Sequence, residues 1–351
     1  MRWTIQQANE WKAARPWLCG FNYLPGSAVN STEMWQAETF DPATIARELG
    51  WAQAIGLNAC RVFVQYLVWQ VDPEGLLRRL DALLTIAWNC GISTLPILFD
   101  DCAFGGQEPY LGPQKPPVPG VHNSGWTASP GLRRVTNPDA WGELEQYVAA
   151  FVGRFGQDER ISGWDVYNEP GNAVYAAHQA EKSLPLLREA FAWTRNARPA
   201  QPVTTGVWTP AMPELNAFLL ENSDVITFHE YRDLETTRQF VAELRQTGRP
   251  LLCTEWMRRN VPNRFDTHLA YFKEEGIHCY FWGLVNGKTQ THIPWESKPG
   301  SPEPERWFHD LFRRDGTPYD PAEIALLQEA VGIKGPGAQY AFSSEIGAVP
   351  K

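Results

Sequence analysis

The chain has 351 residues, 43% of them apolar and 13% aromatic, with sixteen tryptophans, which suits one large packed core and argues against disorder. Its net charge of −9 comes from 40 acidic and 31 basic side chains with no basic stripe, so a phosphate-backbone partner is not expected. No run approaches the roughly 18 apolar residues of a membrane span. The opening stretch MRWTIQQANEWKAARPW has no apolar leader core, so a cytoplasmic location is expected unless a leader precedes it.

Residues 1–16 read as an N-terminal extension. Beyond them, short apolar runs alternate with amphipathic stretches. The runs predict strands at Trp17–Tyr23, Ala59–Val64, Ser93–Phe99, Ile161–Val166, Val203–Val207, Val225–His229, Leu251–Glu255 and His278–Gly283. Helix starts are marked by Asp41-Pro42 and Asn137-Pro138, each a capping residue followed by proline at the first helical position. Eight strand–helix units predict an α/β fold, a single-domain (β/α)8 barrel over residues 17–315. An open doubly wound sheet is the competing architecture, but neither glycine-rich phosphate motif that would accompany it is present.

The connection over residues 100–136 is too long for a turn and is rich in glycine and proline. Its Phe104, Tyr110 and Trp126 predict an ordered wall that blocks one end of a cleft, which favours exo-type action. Residues 316–351 read as a C-terminal helix and tail without chemistry. Cysteines 19, 60, 90, 102, 253 and 279 show neither C-x-x-C nor zinc spacing and are expected to be free thiols.

Barrel enzymes draw their catalytic groups from the C-terminal ends of strands. Those ends carry Arg61, Asp100 and Asp101, Asn168 and Glu169, His229 and Tyr231, Glu255, and Trp282. Glu169 and Glu255 stand 86 positions apart and close the fourth and seventh strands, which face each other across a barrel mouth. Two carboxylates across a cleft are the apparatus of glycoside cleavage, at roughly 5–5.5 Å for a retaining mechanism. Their repulsion there is on the order of 3 kcal/mol, enough to keep one protonated near neutrality while the other is ionised.

WDVYNEP (164–170), HEY (229–231), LLCTEW (251–256) and YFWG (280–283) resemble the strand-four, -six, -seven and -eight signatures of clan A glycoside hydrolases, family 5 above all, over roughly residues 17–312. The resemblance implies a retaining β-glycosidase acting on β-1,4-glucan, mannan or xylan-type chains, with a carbohydrate as its partner and no cofactor. It implies that Glu169 is the acid/base, Glu255 the nucleophile, and Asn168 the contact to the sugar 2-hydroxyl. Arg61 and Tyr231 would hold the nucleophile with His229 beside them, and Trp282 would underlie the sugar, followed by a non-proline cis peptide. Asp100 stands where the family commonly has a histidine, a place His122 or His292 could take. Asp100, Trp126, Trp208 and Trp256 are expected sugar contacts, whereas Trp35 and Trp295 could equally be core. The duller alternatives are a structural Glu255–Arg61 pair, a loop cap at Asp100-Asp101, and a barrel that binds carbohydrate without cleaving it. His229-Glu230 begins a zinc H-E-x-x-H pattern, but position 233 is aspartate, so no metal is expected.

Overall fold

In the computed structural model the structure describes residues 1–172 and 182–333. Eight parallel strands form one sheet: β1 (Cys19–Tyr23), β2 (Ala59–Phe63), β3 (Ser93–Asp100), β4 (Trp164–Asn168), β5 (Val203–Thr204), β6 (Ile226–His229), β7 (Leu251–Trp256) and β8 (His278–Trp282). Neighbours run β5-β4-β3-β2-β1-β8-β7-β6, so first and last strands pair inside the sheet. The remaining gap between β5 and β6 is closed by Val207, whose N–H donates to Thr227 O and whose carbonyl accepts from His229 N, both at 3.0 Å. The result is the expected (β/α)8 barrel.

Each strand is buried nearly throughout, as a parallel sheet under a shell of helices requires. Asp41 caps the helix Pro42–Ala54 by accepting from Thr44 N at 3.0 Å, as the sequence predicts. The Asn137-Pro138 signal opens a single 3-10 turn, Pro138–Ala140, before the helix Trp141–Phe155 begins.

Two strands differ from expectation. Ile161 makes only an isolated bridge to Thr94, and β4 proper starts at Trp164, past Ser162-Gly163. β5 is two residues long because the chain breaks regularity around Gly206, where an added Cβ would lie 3.1 Å from His229 Nε2. That break brings backbone close to the site.

The N-terminal segment folds as a helix, Ile5–Ala13, whose Ala8 and Trp11 pack with Leu18, Ala59, Leu95 and Leu252 at the starts of the strands. The opposite, C-terminal end is thereby left as the mouth. A C-terminal helix is present at Pro321–Val331, ended by Gly332 at φ 86°; the tail from residue 334 lies outside the described residues. All six cysteines are free, and all but Cys90 are buried. Among the described residues no helix is long and apolar enough to cross a membrane.

Candidate active site

The mouth is organised around a buried cation. Arg61, on β2, is fully buried and donates to Asp165 Oδ2 through Nε (3.0 Å) and Nη2 (2.7 Å). Its Nη1 reaches Asn22 Oδ1 and Glu255 Oε1, both at 2.8 Å, and its Nη2 reaches Asn168 Oδ1 at 2.7 Å. One planar guanidinium therefore ties together the ends of β1, β2, β4 and β7, a task its fixed fork of donors suits better than a lysine would. Burial alone would lower Arg61, but Asp165 and Glu255 outweigh it and hold the group above its ordinary value.

Glu255 accepts from Arg61 at one oxygen and from the Tyr231 hydroxyl, at 3.0 Å, at the other. Glu169 lies opposite. Its Oε1 is 2.8 Å from His229 Nδ1, and its Oε2 accepts from Asn172 Nδ2 at 2.6 Å and from the Cys102 thiol at 3.3 Å. His229 Nδ1 is also 3.6 Å from Glu255 Oε2. A carboxylate oxygen of each glutamate and a ring nitrogen of His229 all lie within 4.8 Å of one another. The two carboxylates meet across the mouth.

Glu169 leaves its strand at φ 42°, a left-handed conformation that costs a non-glycine residue on the order of 1–3 kcal/mol and persists at functional sites. Gly171 follows at φ 81°, and the Gly171 N–H donates to Asp101 Oδ2 at 2.6 Å. Asp101 also accepts from the Tyr167 hydroxyl at 2.7 Å and from Ser183 Oγ. The strain is thus held by a buried carboxylate that clamps the turn.

Burial raises the proton affinity of both glutamates. At Glu169 the hydrogen bond and charge of His229, with Asn172 and Cys102, outweigh burial and leave it below its ordinary value. At Glu255 burial and the charge of Glu169 prevail over His229 and Arg61, leaving it above. One carboxyl of the pair is pushed up as the sequence predicts, but the polarity reverses the order the resemblance implies. His229 lowers both, but only Glu169 also takes a hydrogen bond from it and from Asn172 and Cys102.

The remaining expected contacts divide. Trp282 is half-buried at the end of β8 and meets Phe63 and Trp126 edge-on, at ring separations of 5.7 and 6.1 Å. Trp208 is half-buried and donates its indole N–H to Pro170 O at 3.2 Å, which places it beside the Glu169 turn. Trp126 is almost wholly buried and donates to Asp100 Oδ2 at 2.7 Å, so it backs the site. Asp100 also accepts from Asn168 Nδ2 (2.9 Å) and Cys102 N (3.0 Å), and burial raises it to about 7. Contrary to expectation it contacts no open space; it orients Asn168.

Trp256 is a further correction. It is fully buried and packs on Phe265, His268 and Phe272 outside the barrel, because strand alternation sends it away from the side Glu255 faces. Neither histidine fills the space at β3. His122 bonds Ile293 O and packs among Phe104, Trp295 and Phe308, while His292 faces Glu303. Trp35 is core; Trp295 is partly exposed with its edge against Tyr231.

The bond after Trp282 is also not cis, since among the described residues only Ser129–Pro130 is. Gly283 at φ 83° lets the chain leave β8 without it, passing so close to Asp310 that a Cβ would lie 2.2 Å from Asp310 Oδ1.

Four contributors escape sequence reasoning: Asn22, Asp165, Cys102 and Asn172. Asn22 and Asp165 do carry a signal, a polar side chain within an apolar strand (CGFNY and WDVYN). Cys102 and Asn172 carry none. A cavity of about 410 Å³ lies elsewhere, behind the β8 loop against His292, Glu303, Trp307 and Arg313, and does not touch the glutamates.

No protein-family model matches the sequence, and no curated protein does. Solved structures do match. A GH5_18 protein from Streptomyces cattleya in complex with GlcNAc is 14% identical, with a TM-score of 0.60, over 90% of this chain and 80% of that one. The exo-β-1,4-mannosidase Op5Man5 from Opitutaceae bacterium strain TAV5 is 19% identical, with a TM-score of 0.58, over 91% of this chain and 59% of that one. An endo-β-1,4-mannanase from Thermotoga petrophila is 13% identical, with a TM-score of 0.57, over 90% and 76%. The chain shares their fold.

Proposed function

We propose that this protein is a retaining β-glycoside hydrolase that cleaves β-linked oligo- or polysaccharides by double displacement without a cofactor. The observation that carries the reading is the short gap between Glu169 and Glu255, whose oxygens come within 4.8 Å. That belongs to the retaining geometry, since an inverting pair stands roughly 6.5–9.5 Å apart to admit a water.

In this reading Glu255 attacks the anomeric carbon as Glu169 gives a proton to the departing oxygen. A glycosyl ester forms on Glu255 and the aglycone leaves as an alcohol. Glu169, now a carboxylate, takes a proton from water as that water displaces Glu255. Arg61 and Tyr231 hold the nucleophile at both oxygens, so they suit it to leave again as a carboxylate. Asn168 presents its amide beside Glu169 to the 2-hydroxyl, and Trp282 underlies the ring. The first step needs the proton on Glu169. His229 Nδ1, 2.8 Å from Glu169 and 3.6 Å from Glu255, lies within reach of both, so one proton serves the pair.

Aryl β-glycosides of mannose, glucose, galactose and xylose test this, with mannose first because two of the matched structures are named for β-1,4-mannan chemistry. Hydrolysis is expected, with the β-anomer as first product by NMR, and is lost in Glu169→Ala and Glu255→Ala. A first-formed α-anomer would refute retention. A protein without turnover on the whole panel that still binds oligosaccharide is the carbohydrate-binding alternative.

The trio Glu169, His229 and Glu255 also has spacing suited to a divalent cation, which is a second reading. Against it, Glu255 already accepts from Arg61 and Tyr231. Activity insensitive to EDTA in metal-free protein decides for the glycosidase; activity restored by added metal decides against it.

A further inference from the structure

The long connection after β3 does not stay above its own strand. In the barrel, β2 and β1 lie between β3 and β8. The segment crosses both and joins the loop that follows β8: Asn123 N donates to Thr289 O at 2.7 Å, Gln290 Nε2 to Val118 O at 2.8 Å, and Gly300 N to Pro119 O at 3.0 Å. On the way it is tied to the loops it crosses. Tyr66 N, after β2, donates to Ser129 Oγ at 3.0 Å, and Asn30 Nδ2, after β1, donates to Gly125 O at 2.9 Å. One side of the mouth is therefore sealed by a continuous hydrogen-bonded seam.

Trp126 drives a wedge behind that seam. Its ring forms a triangle with Phe63 at the end of β2, 4.8 Å away, and Trp282 at the end of β8, 6.1 Å away. Beside them, against Asn22, Leu24, Thr289 and Asp310, lies a cavity of about 20 Å³, room for a single water.

The chemistry says which half of a substrate meets this wall. In the glycosidase reading the sugar whose anomeric carbon is attacked lies over Trp282 with its 2-hydroxyl at Asn168, which points the chain on its non-reducing side toward β8, β1 and β2. The leaving half departs past Glu169, toward Pro170 and Trp208. In that pose the side on which a second sugar would lie is the one the seam closes, with Trp126, Phe63 and Trp282 packed together beneath it.

Resting on the glycosidase reading, we infer that this site accepts one terminal sugar and no more on its non-reducing side. The enzyme acts as an exo-glycosidase that releases monosaccharide from the non-reducing end.

Mannotetraose and cellotetraose, each reduced at its reducing end, test this alongside the p-nitrophenyl glycosides of the monosaccharide and of the matching disaccharide. The first products are expected to be the free monosaccharide and the reduced trisaccharide. Nitrophenol is released at once from the monoside and only after a lag from the bioside. Free disaccharide or trisaccharide among the first products, or nitrophenol without lag from the bioside, overturns the inference while leaving the glycosidase intact. No cleavage of these substrates or of any aryl β-glycoside in the panel above would instead bring down the glycosidase reading, and this inference with it.

Discussion

Replacing Arg61 by Met keeps most of the side-chain volume and removes the cation at the centre of the site. Asp165, which has no solvent exposure, and Glu255, at 8%, would then be buried without their charge partner, and Asn22 and Asn168 would lose a donor. Breaking a buried pair in this way costs about 3–5 kcal/mol. Unfolding entropy of about 2.1 cal/mol/K per residue gives about 0.7 kcal/mol/K for 351 residues, so Tm should fall by about 4–7 °C. The loss must also depend on pH. Burial already raises Asp165 and Glu255, and losing Arg61 raises them further. A carboxyl raised in the folded state supports the fold fully below its unfolded value of about 4, and that support fades as pH rises through the folded value. Calorimetry should therefore find the gap between parent and variant small near pH 5 and large near pH 8. Glu255, already the higher of the pair, would also ionise at a still higher pH, moving the basic limb of kcat/KM upward. A Tm gap that ignores pH, together with an unmoved basic limb, would refute the role given to Arg61.

Cys102→Ala removes a donor that lowers Glu169. Glu169, the lower of the pair, then takes its proton at higher pH, so the acidic limb of kcat/KM on an aryl glycoside should move upward; an unmoved limb would mean that the thiol is only packing. Trp256→Ala should cost about 3–5 kcal/mol in urea unfolding, as for a buried Trp, yet leave KM unchanged, because its ring lies outside the barrel. A raised KM with unchanged stability would restore it as a sugar contact. Gly283→Ala meets both a left-handed backbone, worth about 1–2 kcal/mol, and Asp310, with Cβ 2.2 Å from Oδ1 and 2.9 Å from the backbone N. It should lower Tm and raise KM together as Trp282 is displaced; a neutral effect on both would show that the β8 turn is not what positions Trp282.

Much of this site is local in the chain, and that part is legible before any fold is known. Asn168, Glu169 and Pro170 are neighbours, so the end of an apolar run followed by a turn already says where the carboxylate stands. Glu255 is marked likewise by its run, and eight such runs make the barrel the natural way to bury them. A charge inside a buried strand also shows at Asp165, though not which cation answers it. Contacts between distant segments are a different matter. Cys102 meets Glu169 because β3 pairs with β4, with Asp100 opposite Asn168, and Trp126 packs against Trp282 because the 101–136 segment crosses two strands and ties to a third loop. No periodicity encodes that path, which follows from backbone groups finding partners in other loops. Which glutamate is pushed up and which down depends on contacts that exist only after the chain has closed: His229 stands 2.8 Å from Glu169 and 3.6 Å from Glu255, and Asn172 and Cys102 donate to Glu169.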